Sequence, residues 1–288
     1  MSAQQEDPVK LDALLPDAMA HKVEDIGVAK AKMGFTKTFV LAFLAGAFIG
    51  LGAIFATTVT TGSDMYWGMT KLLGGLAFSL GLILVIVAGA ELFTGNNLIS
   101  MAWASKRIKT IEVLRNWVIV YFGNLAGALS LVVLMLIAKQ YTFLSGEVGV
   151  NALNIAAAKC ELGFLQAIAL GVLCNVLVCL AVWLCFSART TTDKILAIIF
   201  PITAFVAAGF EHSVANMYFI PKGLLIKTFA ASDFWNAIGK TAADYSQLTW
   251  SNFLLNNLLP VTIGNIIGGA VMVGMVYWFV FLRKKSNS

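Results

Sequence analysis

Charge is what this 288-residue sequence has least of. Asp, Glu, Lys and Arg together make up 12% of it, against about 25% in an ordinary soluble domain. That scarcity excludes a water-facing globule, and the net charge of +5 is no case for nucleic-acid binding. Histidine is nearly absent too: His21 and His212 are the only two. The cysteines are four, Cys160, Cys174, Cys179 and Cys185. They lack zinc spacing and partner histidines, so they read as apolar packing residues and no metal site is expected. No nucleophile–base–carboxylate set is evident, which argues against an enzyme, and nothing calls for a cofactor. The first thirty-odd residues contain Pro8, Pro16 and many charges but no apolar core; the expectation is direct insertion without a secretory signal peptide.

What is present is hydrophobicity: 59% of the residues, with a mean hydropathy of +0.83. Several uncharged runs exceed the roughly 18 residues that mark a membrane span. Charge-free windows predict six spans, near Thr38–Thr60, Leu72–Ser105, Trp117–Ala138, Leu162–Ser187, Ile195–Ile220 and within Leu248–Leu282. The second breaks at Glu91 and the fifth at Glu211-His212. Fourteen basic residues fall on one side of these spans and six, including Lys159, Lys222 and Lys227, on the other. Both termini are therefore expected in the cytoplasm. Trp67, Trp103, Trp117, Trp183, Trp250 and Trp278 fall near span ends, as interfacial anchors do.

The sequence also repeats itself. Gly89-Ala90-Glu91-Leu92-Phe93-Thr94-Gly95-Asn96 and Gly209-Phe210-Glu211-His212-Ser213-Val214-Ala215-Asn216 share G-x-E-x-x-x-x-N. A second pair follows each copy: Asn116, Val120, Gly123-Asn124 and Gly127 against Asn257, Val261, Gly264-Asn265 and Gly268, at identical spacing. Span two thus matches span five and span three matches span six. Three spans per half is an odd number, so the halves are inverted copies. Interrupted apolar segments at matching places in two halves point to a transport site.

Non-helical backbone in a bilayer must be buried in protein or line a wet cavity. After each break a half-helix begins, whose N-terminus offers free N–H donors and a positive dipole end. Two such ends favour an anion or a polar neutral solute. His212 sits at one break, titrates near physiological pH when unperturbed, and as an ionisable group inside a membrane is a functional candidate. Thr94, at the matching break, is its candidate partner. Glu91 and Glu211 precede the breaks; accepting backbone N–H bonds to hold each loop suits them better than touching an anion. Asn124 and Asn265 are expected to tie spans three and six to these loops. Asn175, in the otherwise apolar fourth span, suits bracing His212 and touching solute equally well.

Longer strings carry a resemblance. Glu91-Leu92-Phe93-Thr94-Gly95, Tyr121-Phe122-Gly123-Asn124-Leu125-Ala126-Gly127, Cys174-Asn175, Ala207 through Met217, and Pro260-Val261-Thr262-Ile263-Gly264-Asn265 resemble the formate/nitrite transporter family, over nearly the whole chain. Leu14-Leu15-Pro16 and the long lead-in resemble its formate-channel branch. The resemblance implies an all-α, aquaporin-like membrane fold, a homopentamer with one pore per protomer, and a hydrogen bond between Thr94 and His212. It implies an outer apolar constriction at Phe78 and Phe205 and an inner one at Leu82 and Leu92, with Phe93 beside it; ordinary helix packing is the plain alternative for these. It also implies that Lys159, in what reads as a loop, attracts anions at the outer vestibule. A bacterial inner-membrane location goes with it.

The chemistry of a small carboxylate is compatible. With a pKa of about 3.3–3.7, by analogy with an α-carboxyl, formate is anionic at neutral pH and crosses apolar rings poorly. Proton transfer near His212 would give the neutral acid, with protons as a second transported species. Nitrite, hydrosulfide, acetate and lactate are not separable from formate by spacing. A neutral-solute pore is the rival class, although the Asn-Pro-Ala pairs that mark aquaporins are absent. The expected organisation is a cytoplasmic N-terminal segment over 1–35, a channel domain over 36–282 and a cytoplasmic tail over 283–288. Leu11, Leu14, Leu15, Ala18 and Met19 roughly follow helical spacing. That fits a gate, a dock for a cytoplasmic partner, or a plain surface helix.

Overall fold

The computed structural model describes residues 13–283, which form helices and their connections with no strand among them. In chain order these are α1 (Pro16–Ala31), α2 (Phe35–Thr60), α3 (Trp67–Ala88), α4 (Ser100–Ala104), α5 (Thr110–Ile137), α6 (Glu147–Cys160), α7 (Phe164–Ser187), α8 (Thr191–Ala207), α9 (Ser213–Phe229), α10 (Ser232–Ile238) and α11 (Asn252–Leu282). Five of them, α2, α3, α5, α7 and α11, are long and apolar enough to cross a membrane. Helices α8 and α9 have 17 residues each, and α11 winds largely with wide π-type turns.

Small residues decide how these helices pack. Helix α2 lies against α5 where Gly127 meets the Phe43 carbonyl and Gly46 meets the backbone of Asn124. Helix α7 lies against α11 where Gly264 meets the Ile168 carbonyl and Gly268 meets that of Val172. A β-carbon at any of these four positions would overlap the opposing backbone, so each pair is drawn together by what glycine leaves out.

Helices α3 and α8 end alike, and the shared motif explains how. Gly89 and Gly209 take φ of +82° and +73°, the left-handed conformation that stops a helix and that glycine adopts at no steric cost. The next N–H groups return to the last turn, Ala90 to the Val85 carbonyl at 2.9 Å and Phe210 to the Phe205 carbonyl at 3.0 Å. The chain then crosses to a neighbouring helix. Glu91 N–H donates to the Leu41 carbonyl at 3.2 Å and Glu211 N–H to the Leu170 carbonyl at 3.3 Å. Thus the first glycine of G-x-E ends the helix, and the glutamate begins the loop.

Several sequence expectations need correction. The segment before Lys159 is a helix, α6. The second part of predicted span five continues past Ile220 to Phe229, because Lys222 and Lys227 do not end it: Lys227 donates to the Tyr245 and Leu248 carbonyls, both at 2.9 Å. Trp183 is 4% exposed and packs on Tyr277 with ring centroids 4.2 Å apart, so it is an interior residue and not an interfacial anchor. Helix α1 starts later than the leucine spacing suggested. It buries Met19, Ala20, Val23, Glu24, Gly27 and Ala31, while Leu15 precedes it and is exposed. Leu11 and the tail beyond Arg283 lie outside the described residues.

Candidate functional site between two matched loops

The two loops, 89–94 and 208–212, share four matched kinds of bond, and Asn257 adds one to Glu211 at 3.2 Å that the first loop lacks. Glu91 accepts from Lys30 Nζ (2.8 Å) and from Asn96 Nδ2 (2.7 Å). Glu211 accepts from Lys159 Nζ (2.7 Å) and from Asn216 Nδ2 (2.6 Å). Asn96 Nδ2 also donates to Asn116 Oδ1 (3.0 Å), as Asn216 Nδ2 does to Asn257 Oδ1 (2.7 Å). Asn116 and Asn257 close each ring on the carbonyls of Lys30 (3.2 Å) and Lys159 (2.8 Å). The carboxylates therefore hold their loops through side-chain amides and an ammonium, not through the backbone N–H groups expected. Ion pairs this enclosed persist only when the remaining polar atoms also find partners.

Asn124 and Asn265 supply the backbone bonds instead. Asn124 Oδ1 accepts the Phe93 N–H (2.9 Å), and its Nδ2 donates to the Glu91 and Ala42 carbonyls (2.9 and 2.8 Å). Asn265 Oδ1 accepts the Ser213 N–H (2.9 Å), and its Nδ2 donates to the Glu211 and Gly171 carbonyls (3.0 and 2.8 Å). Each amide satisfies two backbone groups of its loop and adds a bond to one carbonyl inside the neighbouring helix.

The loops meet at Thr94 and His212, with Thr94 Oγ1 3.0 Å from His212 Nε2. Both are closed off, at 0% and 2% exposure. His212 is also the N-cap of α9, and its Nδ1 accepts the Ala215 N–H at 3.0 Å. A backbone N–H can only donate, so Nδ1 of the neutral ring carries no proton. The ring proton then lies on Nε2 and is donated to Thr94 Oγ1. The Thr94 hydroxyl keeps its own proton to offer elsewhere. Adding a second proton to the ring would place it on Nδ1 and break the cap.

One cavity reaches His212, and a second reaches Gly95, the neighbour of Thr94. The larger, of about 420 Å³, is lined by Phe78, Phe205, Lys159, Lys71 and His212 among others. Phe78 and Phe205 meet edge to face at 5.8 Å, and Phe205 stacks on the His212 ring at 5.9 Å. The smaller, of about 50 Å³, is lined by Leu82, Leu92, Lys30 and Asn96 among others. Phe93 does not line it; its ring packs on Tyr121 at 5.0 Å and Trp117 at 6.2 Å. Apolar rings thus line the cavity at His212, and leucines line the one at Gly95.

Two residues sit differently from expectation. Asn175 does not bond the His212 ring: its Nδ2 donates to the carbonyls of Asn265 (2.7 Å) and Thr94 (3.3 Å) and to Asn97 Oδ1 (3.1 Å). It braces Thr94 through the backbone and is 0% exposed. Lys159 is no free vestibule cation, since it is paired with Glu211. It differs from Lys30 in one respect: Lys30 also donates to Asn96 Oδ1 (2.9 Å), whereas Asn216 Oδ1 has no partner. Lys159 therefore keeps N–H donors for the larger cavity. Sequence reasoning missed Lys71 at that cavity and the roles of Lys30, Asn96, Asn116, Asn216 and Asn257. The four asparagines were visible in the repeat; the lysines were not, because each precedes the first long helix of its half.

The family model for the formate/nitrite transporter matches residues 17–279. The chain belongs to that family. Family members include the formate channel FocA of Escherichia coli K12, 49% identical over 277 residues, which are 96% of this chain and 97% of the relative. The Haemophilus influenzae formate channel FocA is 41% identical, over 91% of this chain and 93% of the relative. A solved pentameric formate channel with formate bound aligns with a TM-score of 0.83 at 52% identity, covering 86% of this chain and 98% of the other. Family membership makes the chain a multi-pass membrane protein of a non-enzymatic channel family, and both matched loops lie inside the aligned region.

Proposed function

We propose that this protein is a formate channel of the bacterial inner membrane, carrying a small monovalent anion past the Thr94–His212 pair. That buried pair between two cavities is the observation that carries the reading. The names of the relatives supply the solute: FocA proteins of two bacteria are formate channels, and the solved relative held formate. By the same likeness the working unit is a homopentamer with a pore in each protomer, in a lipid bilayer.

Residues 36–282 form the channel domain, with six spans in two inverted halves; α3 with α4, and α8 with α9, act as the broken second and fifth spans. Both termini are cytoplasmic by the lysine and arginine bias, which puts the larger cavity outside. Lys71 draws the anion into it, and Lys159, paired with Glu211, offers its remaining N–H donors. The positive end of α9 and the Thr94 hydroxyl then offer it donors where the rings of Phe78 and Phe205 give way to polar atoms. Leu82 and Leu92 narrow the inner side. The anion takes up a proton in this stretch and passes the apolar rings as the neutral acid. His212 acts as the protonation switch, a role coupled to its cap: a ring that gains a proton at Nδ1 releases the Ala215 N–H.

The test is flux through purified protein in liposomes, formate against nitrite, at neutral and acidic pH, for wild type and His212→Asn. Asparagine is a good N-cap, so this variant keeps α9 while removing the titrating ring. Formate flux above nitrite that loses its pH dependence in the variant is the expected outcome. Unchanged pH dependence would remove His212 as the switch, and flux favouring nitrite would reassign the solute.

A further inference from the structure

Lys222 lies on α9, nearly three turns beyond His212. It is 4% exposed, and its ammonium has no hydrogen-bond partner and no ion pair among the described residues. An isolated charge in a protein interior is costly unless a counter-charge is supplied, and inside a membrane such a group marks a functional place. The described residues supply no counter-charge. Lys222 lines a small cavity of about 10 Å³ with Ile54, Thr57, Gln140, Tyr218 and Phe219 among others, and no carboxylate is among the lining residues. A second copy of the chain cannot provide one, because the ammonium is already enclosed by a single protomer.

The size and chemistry of the cavity limit its occupant. About 10–15 Å³ of such volume is the least that one water needs; a single halide fits once the flexible ends of Lys222 and Gln140 turn aside, and a three-atom carboxylate does not. The available groups are mostly donors. Lys222 has all its N–H groups free, Gln140 uses one amide hydrogen on Thr58 Oγ1 at 3.1 Å and has another, and Tyr218 carries a hydroxyl. Thr57 has committed its hydroxyl proton to the Ala53 carbonyl at 2.8 Å. Two walls are shared with the larger cavity: Thr57 and Phe219 line both. Ala215, Phe219 and Lys222 fall on one face of α9.

We infer that Lys222 forms a site for a single monatomic anion, of the halide class, beside the larger cavity and off the line through Thr94 and His212. The bound anion is the counter-charge that the protein leaves out, and only the thickness of Phe219 and Thr57 separates it from the solute's approach. Bound, it cancels Lys222; absent, it leaves a positive charge behind the wall that adds to Lys71, while Lys159 is already paired with Glu211.

The test uses full-length protein, wild type and Lys222→Met, with bromide as the probe. Crystals grown in bromide and measured at its absorption edge should show an anomalous peak within hydrogen-bonding distance of Lys222 Nζ in wild type and none in Lys222→Met. In detergent, exchanging gluconate for chloride should raise the melting temperature of wild type by about 3 °C, because only the folded state binds the ion, and leave the variant's unchanged. An ordered Lys222 with no peak beside it overturns the site, as does the same chloride response in both proteins; a lone water would then be the occupant. If the variant does not fold, the wild-type peak and chloride response decide alone. Formate flux in wild type is a separate measurement, so loss of this site leaves the channel reading standing.

Discussion

A single backbone N–H governs the chemistry at the centre of the molecule. By donating to His212 Nδ1, Ala215 fixes the ring's proton on Nε2 and so makes the Thr94 oxygen an acceptor. Thr94→Val keeps the shape of the side chain and removes that acceptor, leaving a buried N–H unpaired. The expected result is a loss of stability of about 1–3 kcal/mol and a large fall in formate flux, with Thr94→Ser restoring most of both. Liposome flux and thermal melting check it. A variant that melts lower but conducts normally would make the Thr94 hydroxyl a structural group only.

At the scale of elements, the helix pairs depend on atoms that are missing. Gly127→Ala places a methyl group against the Phe43 carbonyl, which as backbone cannot rotate aside, so α2 and α5 must separate. The expected cost is about 3 kcal/mol, at the upper end for an overpacked contact, read as a lower melting temperature and less folded protein in the membrane. An alanine at Gly163, which has nothing within 4 Å of where its β-carbon would stand, is the control. The elements also differ in how legible they were in the sequence. Helices α2, α5 and α7 are long uncharged runs, and their ends fall within seven residues of the predicted ones. Helix α6 was invisible because its polar residues, among them Glu147, Asn151 and Lys159, gave a window too hydrophilic for a span. The predicted fifth span stops short of the end of α9 because a lysine in a sequence signals water, while Lys222 and Lys227 are held inside the fold.

For the whole molecule, the two loop clamps invite a matched pair of substitutions. Glu91→Gln and Glu211→Gln each take the charge from an enclosed ion pair and turn one of its acceptor oxygens into a donor. Each should cost about 2 kcal/mol, the worth of a hydrogen bond to a charged group. The expected flux effects are unequal: Glu211→Gln frees Lys159 at the larger cavity, while Glu91→Gln frees Lys30 at the smaller. Melting and flux of both variants, measured in the two directions across the bilayer, check this. Equal effects in both directions would mean that the lysines act only as fasteners. The repeat in the sequence made the two loops, their asparagines and the Thr94–His212 pairing legible. It could not show which lysine serves which carboxylate, since Lys30 and Glu91 lie 61 positions apart and Lys159 and Glu211 lie 52 apart, outside the matched strings.

Lys30 and Lys159 occupy the same place in their two clamps, and this bears on how the protein can be cut. Lys159 is near the end of α6, which stands before α7, and Lys30 is near the end of α1, which stands before α2. By that correspondence α1 is the opening piece of the first half rather than an appendage attached to it, and a boundary drawn at residue 35 divides a unit. A shortened version lacking residues 1–30 would lose an interior cation along with a helix, and any change in its behaviour would mix the two. Removing residues 1–15 and, separately, replacing Lys30 alone would tell an engineer which part of the leading segment is cargo and which is chassis.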